Sequence, residues 1–295
     1  MMLGIDIGGT KLLAVTGDES GAARVVGRRR TTRAFTPLAA VDAVRTLIDD
    51  VETAQGEFVT AVGIGFPGVV DAGQRVVRSS VIIDGWHDVE LAKMVEHAVG
   101  VPCVIDNDVN NAARSEARLH ARDVDSMVFV SAGTGIGGAL VINRKVWTGT
   151  SGVAGEVGHI VVDPNGPTCQ CGRRGCVGAL AGGERIERQL GLGSGELERF
   201  IVTEPDKSRQ ALTEAGALLG SAMADLLNVL NPELLILGGG LARNRDYFLA
   251  AESAVRSSAF SEAMQACRFE PPRGGYESAA VGASLLAAEA IGAVC

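Results

Sequence analysis

Apolar runs interrupted by glycine clusters occur twice along the chain. Residues 3–15 are apolar except at the turn Asp6–Lys11, and residues 127–142 repeat this arrangement around the glycine cluster Gly133–Gly138. A strand, a tight glycine turn and a second strand account for each segment. The repeat predicts two similar halves, each of which presents a glycine loop at the end of a strand.

The remaining pattern alternates between helical and extended segments. A helix is predicted over residues 37–54, where the apolar positions of one face are Leu38, Val41, Val44, Leu47, Ile48 and Val51. Further helices are predicted over 110–122, 210–230 and 279–293, and strands over 59–66, 101–105 and 234–237. Strands that alternate with helices indicate an α/β fold. Residues 149–183 lack periodicity, so something other than an apolar core must order them.

Composition narrows the class of protein. The chain has 295 residues, which predicts about two domains, and 46% apolar residues supply a sizeable core. Its net charge of −8 argues against binding to nucleic acid or to a membrane surface. The N-terminus lacks a signal peptide pattern and no apolar run is long enough to span a membrane, so we expect a cytoplasmic protein.

The two glycine turns carry the first candidate chemistry. In Asp6–Lys11, the backbone amides of Gly8 and Gly9 are suited to phosphate oxygens, Asp6 to Mg²⁺, and Thr10 and Lys11 to the transferred phosphoryl group. The alternative is an ordinary hairpin turn with a solvated lysine. The second turn, with Thr134, Gly135 and Gly137, leads into a strand, whereas a dinucleotide fingerprint opens a helix. Two such turns together predict a nucleotide between two lobes.

The pair Asn107-Asp108 stands where a predicted strand ends and a helix begins. A carboxylate there can accept a proton from a sugar hydroxyl while Asn107 binds a neighbouring hydroxyl, and the helix N-terminus would keep Asp108 ionised. The alternative is a helix N-cap, a position that Asp and Asn fill routinely. On this pair alone, the cap is the simpler explanation.

Four metal-binding residue types lie within the aperiodic segment. His159, Cys169, Cys171 and Cys176 are the ligands that a closed, tetrahedral zinc site uses. The alternative is three free thiols and a surface histidine, but no packing requirement clusters cysteines in a glycine loop. Zinc would order this segment. Glu156 lies beside the histidine, whose second ring nitrogen is available to a substrate. The other cysteines, at 103, 267 and 295, fit no motif.

Seven segments, in this order, resemble the ROK family of repressors, open reading frames and sugar kinases. They are Asp6–Lys11, Gly65–Gly68, Asn107–Asn110, Gly133–Gly138, Ala154–His159, Cys169–Cys176 and Leu237–Leu241. The resemblance extends over nearly the whole chain, and the cysteine knuckle is its most specific part. It implies an α/β, actin-like (ribonuclease H-like) fold of two lobes, of the hexokinase type, with a zinc-containing insertion.

The resemblance also implies how the chain is divided and what it does. We expect residues 1–112 and a C-terminal helix at about 280–295 in a small lobe, and residues 113–279, with the zinc knuckle 159–176, in a large lobe. Kinases of this family move the γ-phosphate of Mg–ATP onto a hexose hydroxyl, usually O6. Family members are expected to be homodimers or homotetramers, with a small-molecule sugar and ATP as ligands.

By position, the resemblance assigns roles to particular residues. Asp108 corresponds to the catalytic base, and His159, Cys169, Cys171 and Cys176 to the structural zinc ligands. The candidate sugar-binding residues are Gly68, Ser80, Asp84, Asn107, Asp108, Glu156 and His159. The candidate ATP-binding residues are Asp6, Gly8, Gly9, Thr10, Lys11, Thr134, Gly135, Gly137, Gly239 and Gly240, the last two at the adenosine.

The chain departs from the glucokinase pattern at two places. Gly178 replaces a sugar-binding glutamate, and Ile82 stands where an asparagine is usual, while Asp84 lies in the same loop. Our hypothesis is an amino sugar, such as kanosamine, whose ammonium group pairs with Asp84 or Glu156. The alternative is sequence drift in a strict glucokinase.

Two other functions compete with a kinase. One is a non-catalytic sugar sensor, since some family members are repressors with an N-terminal helix-turn-helix. The phosphate loop begins at Asp6, so we expect no such segment. The other is a degenerate binder that has lost catalysis, against which Asp108 and both glycine loops argue.

Overall fold

A computed structural model describes residues 1–18 and 22–292. Its strands are β1 (Met2–Ile7), β2 (Lys11–Gly17), β3 (Ala23–Arg30), β4 (Ala61–Phe66), β5 (Val69–Asp71), β6 (Val76–Ser79), β7 (His87–Val89), β8 (Cys103–Asn107), β9 (Ser126–Ala132), β10 (Ile136–Ile142), β11 (Lys145–Val146), β12 (Leu234–Gly238) and β13 (Arg268–Glu270). Its α-helices are α1 (Pro37–Gln55), α2 (Leu91–Val99), α3 (Asp108–Leu119), α4 (Val177–Ala181), α5 (Gly183–Leu190), α6 (Leu197–Thr203), α7 (Pro205–Leu230), α8 (Arg245–Ser258), α9 (Ser261–Ala266) and α10 (Ser278–Ala290).

The chain divides into two compact units. Unit 1 comprises Met1–Asp123, Lys145–Ala154 and the chain from Arg273 onward, and unit 2 comprises Val124–Arg144 and Gly155–Pro272. The boundary expected between residues 112 and 113 falls inside α3, which lies wholly in unit 1.

The main sheet of unit 1 has the strand order β3-β2-β1-β4-β8. β1 is antiparallel to β2, with Met2 opposite Gly17, and parallel to β4, with Met2 beside Ala61. Helix α10 lies directly on this sheet because β1 and β4 each have a glycine beneath it. A Cβ on Gly4 would lie 2.1 Å from the carbonyl oxygen of Ala280, so only glycine permits this approach.

A second, three-stranded sheet of unit 1, with the order β5-β6-β7, supports a loop at residues 80–86. Trp86 at the end of this loop is fully buried, and its ring centroid lies 4.3 Å from that of Phe66. The indole Nε1–H donates to the carbonyl oxygen of Phe35 over 2.8 Å. These contacts anchor the loop to the core of the unit.

Four strands of unit 2 run in the order β10-β9-β12-β13. β9 is antiparallel to β10, with Ile136 opposite Ala132, and parallel to β12, with Leu234 beside Met127. Helices α7 and α8 pack against each other beside this sheet, and their apolar side chains share one core with the strands. The predicted repeat is confirmed, because each unit contains an antiparallel hairpin whose first strand also pairs with a parallel strand.

Several element boundaries differ from the pattern analysis. Leu38 was expected on the apolar face of α1, but it is 70% exposed because it lies in the first turn, beyond the edge of the core. Helix α3 begins at Asp108 because the side chain of Asn107 caps it. The predicted end of the last helix, at residue 293, lies outside the described residues. Among the helices that the structure describes, none is both long and apolar enough to cross a membrane.

Candidate functional site

The first glycine loop joins β1 to β2 and is held by its own backbone and by one distant threonine. The N–H of Gly8 donates to the carbonyl oxygen of Lys11 over 2.8 Å, which closes the turn. Thr31, which is buried, donates its hydroxyl to the oxygen of Gly8 (2.5 Å) and its N–H to the oxygen of Thr10 (3.1 Å). Sequence reasoning missed Thr31, since only the pairing of β2 with β3 brings it to the loop.

Asp6 and Asp108 flank the C-terminal end of β4. A Cβ placed on Gly65 would lie 3.6 Å from Oδ1 of Asp6 and 3.5 Å from Cα of Asp108. Burial raises the pKa of Asp6, the negative charge of Asp108 adds to this shift and Lys11 opposes it, so that the pKa is about 7. A carboxyl group whose ionised form is disfavoured in this way gains from a nearby cation, which suits Mg²⁺.

Asn107 and Asp108 place a helix cap next to a candidate site residue. The Oδ1 of Asn107 accepts from the N–H groups of Val109 (2.8 Å) and Asn110 (3.2 Å), so Asn107 is the N-cap of α3. Its Nδ2 donates to the oxygen of Gly68 over 3.0 Å. Asp108 is therefore the first helical residue, where the helix dipole favours its ionised form. Asn107 acts as the cap and Asp108 is the residue for which a chemical role is predicted, so the two functions do not exclude each other.

A buried carboxylate beneath this pair fixes its backbone. Asp106 is 2% exposed and accepts hydrogen bonds from the N–H of Asn107 (2.8 Å), from Nδ2 of Asn110 (2.8 Å) and from the guanidinium of Arg114 (3.1 Å). The sequence analysis assigned no role to Asp106 or Arg114. The signal was a third consecutive polar residue at the end of an otherwise apolar strand.

Ser80, in the loop at residues 80–86, forms hydrogen bonds within the loop and to the neighbouring Pro67. The hydroxyl of Ser80 donates to the oxygen of Pro67 (2.6 Å) and accepts from the N–H groups of Ile82 and Ile83 (both 3.1 Å). Gly68 lies against the same loop, since a Cβ there would be 2.3 Å from the oxygen of Ser79. Ser80 therefore shapes the loop, and its hydroxyl has already donated its hydrogen.

Asp84 has a basic partner. Its carboxylate lies 3.3 Å from the guanidinium of Arg33, and its N–H donates to the oxygen of Arg33 over 2.7 Å. Both side chains are mostly exposed. The methyl group of Ile82 reaches the first glycine loop, 2.6 Å from a Cβ placed on Gly9. An ammonium group would have to compete with Arg33 for Asp84.

In unit 2, four side chains form a candidate metal centre. One ligand atom from each of His159, Cys169, Cys171 and Cys176 lies within 4.8 Å of the others. The Sγ atoms of Cys171 and Cys176 are 3.6 Å apart, and Nδ1 of His159 is 3.4 Å from Sγ of Cys169. Zinc–sulfur bonds of about 2.3 Å in a tetrahedron imply edges of roughly 3.8 Å, so this donor set fits zinc.

The two ring nitrogens of His159 have different neighbours. Its Nδ1 points to the thiols, while Nε2 lies 3.8 Å from Oε2 of Glu156.

The N–H of Arg173 lowers the pKa of Cys171 to about 6, so this candidate ligand is readily a thiolate. Burial raises the pKa of Cys176 to about 12, and it does the same for Cys103, to about 12, and for Cys267, to about 11. Cys295 lies outside the described residues.

The second glycine loop is supported by the start of α5. The N–H of Gly183 donates to the oxygen of Gly133 (2.9 Å), and that of Glu184 donates to the oxygen of Thr134 (3.0 Å). Gly239, with φ of +91°, approaches the same strand end, and a Cβ there would lie 2.3 Å from the oxygen of Ala132. The predicted phosphate and adenosine loops of unit 2 therefore lie side by side.

Gly178, at the start of α4, is also closely packed. A Cβ on this residue would lie 3.0 Å from the oxygen of Gly158, tighter than an ordinary contact. Because position 178 has no side chain, Glu156 is the carboxylate that lies beside His159 among the candidate residues of this unit.

Comparison with known proteins identifies the family of this chain. The ROK family model matches residues 2–290. A glucokinase of Thermotoga maritima is 31% identical over 82% of each chain, and an N-acetylmannosamine kinase of Citrobacter koseri is 30% identical over 97% of this chain and 98% of its own. A Streptomyces griseus ROK glucokinase, solved with glucose and AMPPNP, superposes with a TM-score of 0.82 at 30% identity, covering 98% of this chain and 99% of that one. The fold is thus of the ROK hexokinase type, and the chain belongs to the ROK family, among its sugar kinases.

Proposed function

We propose that this protein transfers the γ-phosphoryl group of Mg–ATP to the O6 hydroxyl of a hexose or amino-hexose, with Asp108 as the general base. The observation that carries this proposal is the placement of Asp6 and Asp108 on either side of Gly65. One carboxylate is suited to a cation and the other to a hydroxyl proton. Phosphoryl transfer needs both charge neutralisation and an oriented acceptor.

The proposed reaction assigns each group one task. Asp108 accepts the proton of the sugar hydroxyl. The oxygen of that hydroxyl forms a bond to the γ-phosphorus, the bond between the γ-phosphorus and the β–γ bridging oxygen breaks, and ADP leaves. The proposed phosphate-binding residues are Gly8, Gly9, Thr10, Lys11, Thr134, Gly135 and Gly137, and the proposed adenosine-binding residues are Gly239 and Gly240. Mg²⁺, held through Asp6, would neutralise charge on the phosphates.

For the sugar, we propose Asn107, Asp108, Glu156 and His159 as the principal contacts. Asn107 keeps one Nδ2 hydrogen beyond the bond to Gly68, and Nε2 of His159 is directed away from the thiols. The four ligands at His159, Cys169, Cys171 and Cys176 would hold structural zinc and so fix the orientation of this ring. Reduced cysteine ligands are consistent with a cytoplasmic protein.

Two acceptor classes remain in competition. An amino-hexose is favoured by the missing polar groups at Ile82 and Gly178 and by the similarity to N-acetylmannosamine kinases over nearly the full chain. Because Arg33 already pairs with Asp84, Glu156 is the better partner for an ammonium group. Glucose is favoured by the similarity to glucokinases.

A panel of sugars tests the proposal. ADP release is measured with glucose, kanosamine, glucosamine and N-acetylmannosamine, and the position of the product phosphate is read by NMR from its coupling to the sugar protons. We expect phosphate coupled to the two protons at C6. Phosphate at O1, or no sugar-stimulated ADP release, would overturn the assignment. Glu156→Gln should lower turnover of a free amino sugar more than that of glucose if the ammonium pairing is right.

A further inference from the structure

A cavity of about 580 Å³ lies in unit 1 and is here called the arginine cavity. Its polar lining includes Ser115, Arg118, Arg122 and Arg273. Ala23, at the start of β3, also lines it, whereas the first glycine loop lies beyond the other end of that strand. The eight residues of β3, at about 3.3 Å each, separate the two places by more than roughly 20 Å. The arginine cavity is therefore not part of the candidate phosphate site.

Two segments of unit 1 supply most of the charged wall. The last turns of α3 and the residues after it contribute Arg118 and Arg122, and the chain that leads into α10 contributes Arg273 and Glu277. The chain first leaves unit 1 just after the α3 segment, and it enters this unit for the last time at Arg273. The arginine cavity therefore lies where these two segments meet.

The backbone of the second segment is held from inside the unit. Glu116, which is fully buried, accepts hydrogen bonds from the N–H groups of Arg273 (3.0 Å) and Gly274 (2.7 Å). The hydroxyl of Ser278 donates to the oxygen of Gly275 over 2.7 Å. A binding site with a fixed backbone loses less conformational entropy when a ligand binds. This part of the wall is thus already ordered.

The lining of the cavity is positively charged although the protein is acidic. Three arginines and Glu277 give it a formal charge of +2, against −8 for the whole chain. In the part of the chain that the structure describes, the guanidinium groups of Arg118 and Arg122 have neither a hydrogen bond nor an ion pair, whereas Arg114 on the same helix pairs with Asp106 at 3.1 Å. Each guanidinium carries five N–H donors, so both have donors available for an anion.

A buried hydroxyl group adds a neutral donor. Ser115 is 4% exposed and lines the cavity, and among the described residues its hydroxyl has no hydrogen-bond partner. Buried polar groups are ordinarily hydrogen-bonded, because burial without a partner costs free energy. An oxygen atom of a ligand would supply that partner. The side chains of Leu119, Val281 and Leu285 also line the cavity and suit the carbon atoms of an organic ligand.

We propose that the arginine cavity binds a phosphate monoester of a small organic molecule. The two charges of the ester match the guanidinium groups of Arg118 and Arg122, which donate to phosphate oxygens in pairs, and the hydroxyl of Ser115 donates to another oxygen. The apolar part of the lining favours an ester over inorganic phosphate. The proposal is independent of the proposed kinase activity, because it uses none of the residues assigned to that reaction.

Calorimetric titration of the whole protein with phenyl phosphate tests this site, with inorganic phosphate, phenol and succinate for comparison. We expect phenyl phosphate to bind about fivefold more tightly than inorganic phosphate, since its ring buries apolar surface, and phenol not to bind. In R118Q/R122Q the affinity for phenyl phosphate should fall at least about tenfold, because charge-assisted hydrogen bonds are lost.

The matched control is R29Q/R45Q. It also removes two positive charges from unit 1, but Arg29 and Arg45 pair with Asp50 (3.2 Å) and Asp42 (3.1 Å) and do not line the cavity. This variant should bind phenyl phosphate as the unaltered protein does.

A second variant separates binding from folding. Ser115→Ala should weaken the binding of phenyl phosphate about threefold to tenfold and should not lower the melting temperature without ligand, since the hydroxyl has no protein partner to lose. A structural role for the arginines at the C-terminal end of α3 predicts the opposite, a lower melting temperature with unchanged affinity.

Any one of three results would overturn the proposal. They are no binding of phenyl phosphate by the unaltered protein, unchanged affinity in R118Q/R122Q, and equal or tighter binding of succinate or inorganic phosphate. Sugar-stimulated ADP release reports the proposed function separately. Its absence from a protein that binds phenyl phosphate as expected would count against the kinase assignment and not against the arginine cavity.

Discussion

At the residue scale, three consecutive polar side chains at the end of β8 divide the work of one site. Asp106 is buried and satisfied by donors from α3, Asn107 caps that helix, and Asp108 is left at its first turn. The sequence allowed a cap or a chemical role for Asn107 and Asp108, of which the cap at Asn107 is confirmed and the chemical role of Asp108 stays a prediction. It did not reveal Asp106, because the partner that neutralises its charge, Arg114, is two helical turns away and looks like a surface arginine.

The carboxyl of Asp6 makes the stability of the protein depend on pH. Its pKa is about 7 in the fold and near 3.8 in an unfolded chain, so the folded state binds more protons between these values. Stability from this group is therefore full below pH 4 and is lost as the pH rises to 7. We expect Asp6→Asn to melt at a higher temperature than the unaltered protein above pH 7, without added Mg²⁺.

The difference between the two melting temperatures should shrink as the pH is lowered towards 4, where the native carboxyl is protonated. Asp49→Asn, an exposed carboxylate on α1, is the control and should show no such convergence. A constant difference for Asp6→Asn across the pH range would show that burial does not perturb this group.

At the scale of elements, the spacing of apolar residues predicted the helices and strands that bury one face and missed those that do not. The period of α1 and α7 and the apolar runs of β1, β9 and β12 predicted those elements. β3 was not predicted, since four of its eight residues are arginines and its pairing with β2 comes from the fold. Helix α7 begins at Pro205, five residues earlier than predicted, because its first turn is exposed and carries no periodic signal.

The cysteine knuckle is an element that the core does not hold. The knuckle is closed by backbone hydrogen bonds, such as that from Cys169 N–H to the oxygen of Arg173 (2.7 Å), and its four candidate metal ligands converge. Cys176 also stands at the N-cap of α4, so it connects the knuckle to the helix that follows. The ligand spacing made this element predictable although its sequence is aperiodic.

We expect Cys176→Ser to lower the bound zinc, from about one ion per chain in the purified protein, and to reduce the melting temperature, because metal binding contributes directly to folding. Zinc content is measured by mass spectrometry after dialysis. Cys103→Ala, in the other unit, is the control and should retain zinc. Full zinc retention by Cys176→Ser would contradict the assignment of this residue as a ligand.

At the scale of the whole molecule, two units of similar topology each carry a glycine loop. The sequence predicted this duplication because the strand, loop and strand pattern is visible in both halves. It did not predict the small sheet β5-β6-β7, whose strands of three or four residues are too short to show a period. That sheet supports the loop that contains Ile82 and Asp84.

Asp108 is proposed as the base of a sugar kinase, and sugar-stimulated ADP release by Asp108→Asn tests that role. We predict a loss of turnover of about 10²–10⁴-fold with little change in the KM for ATP, since the amide keeps the shape of the site but cannot accept the proton. The control is Asp88→Asn, an exposed aspartate of the same unit, which should retain activity. Turnover by Asp108→Asn at the level of the unaltered protein would contradict the account.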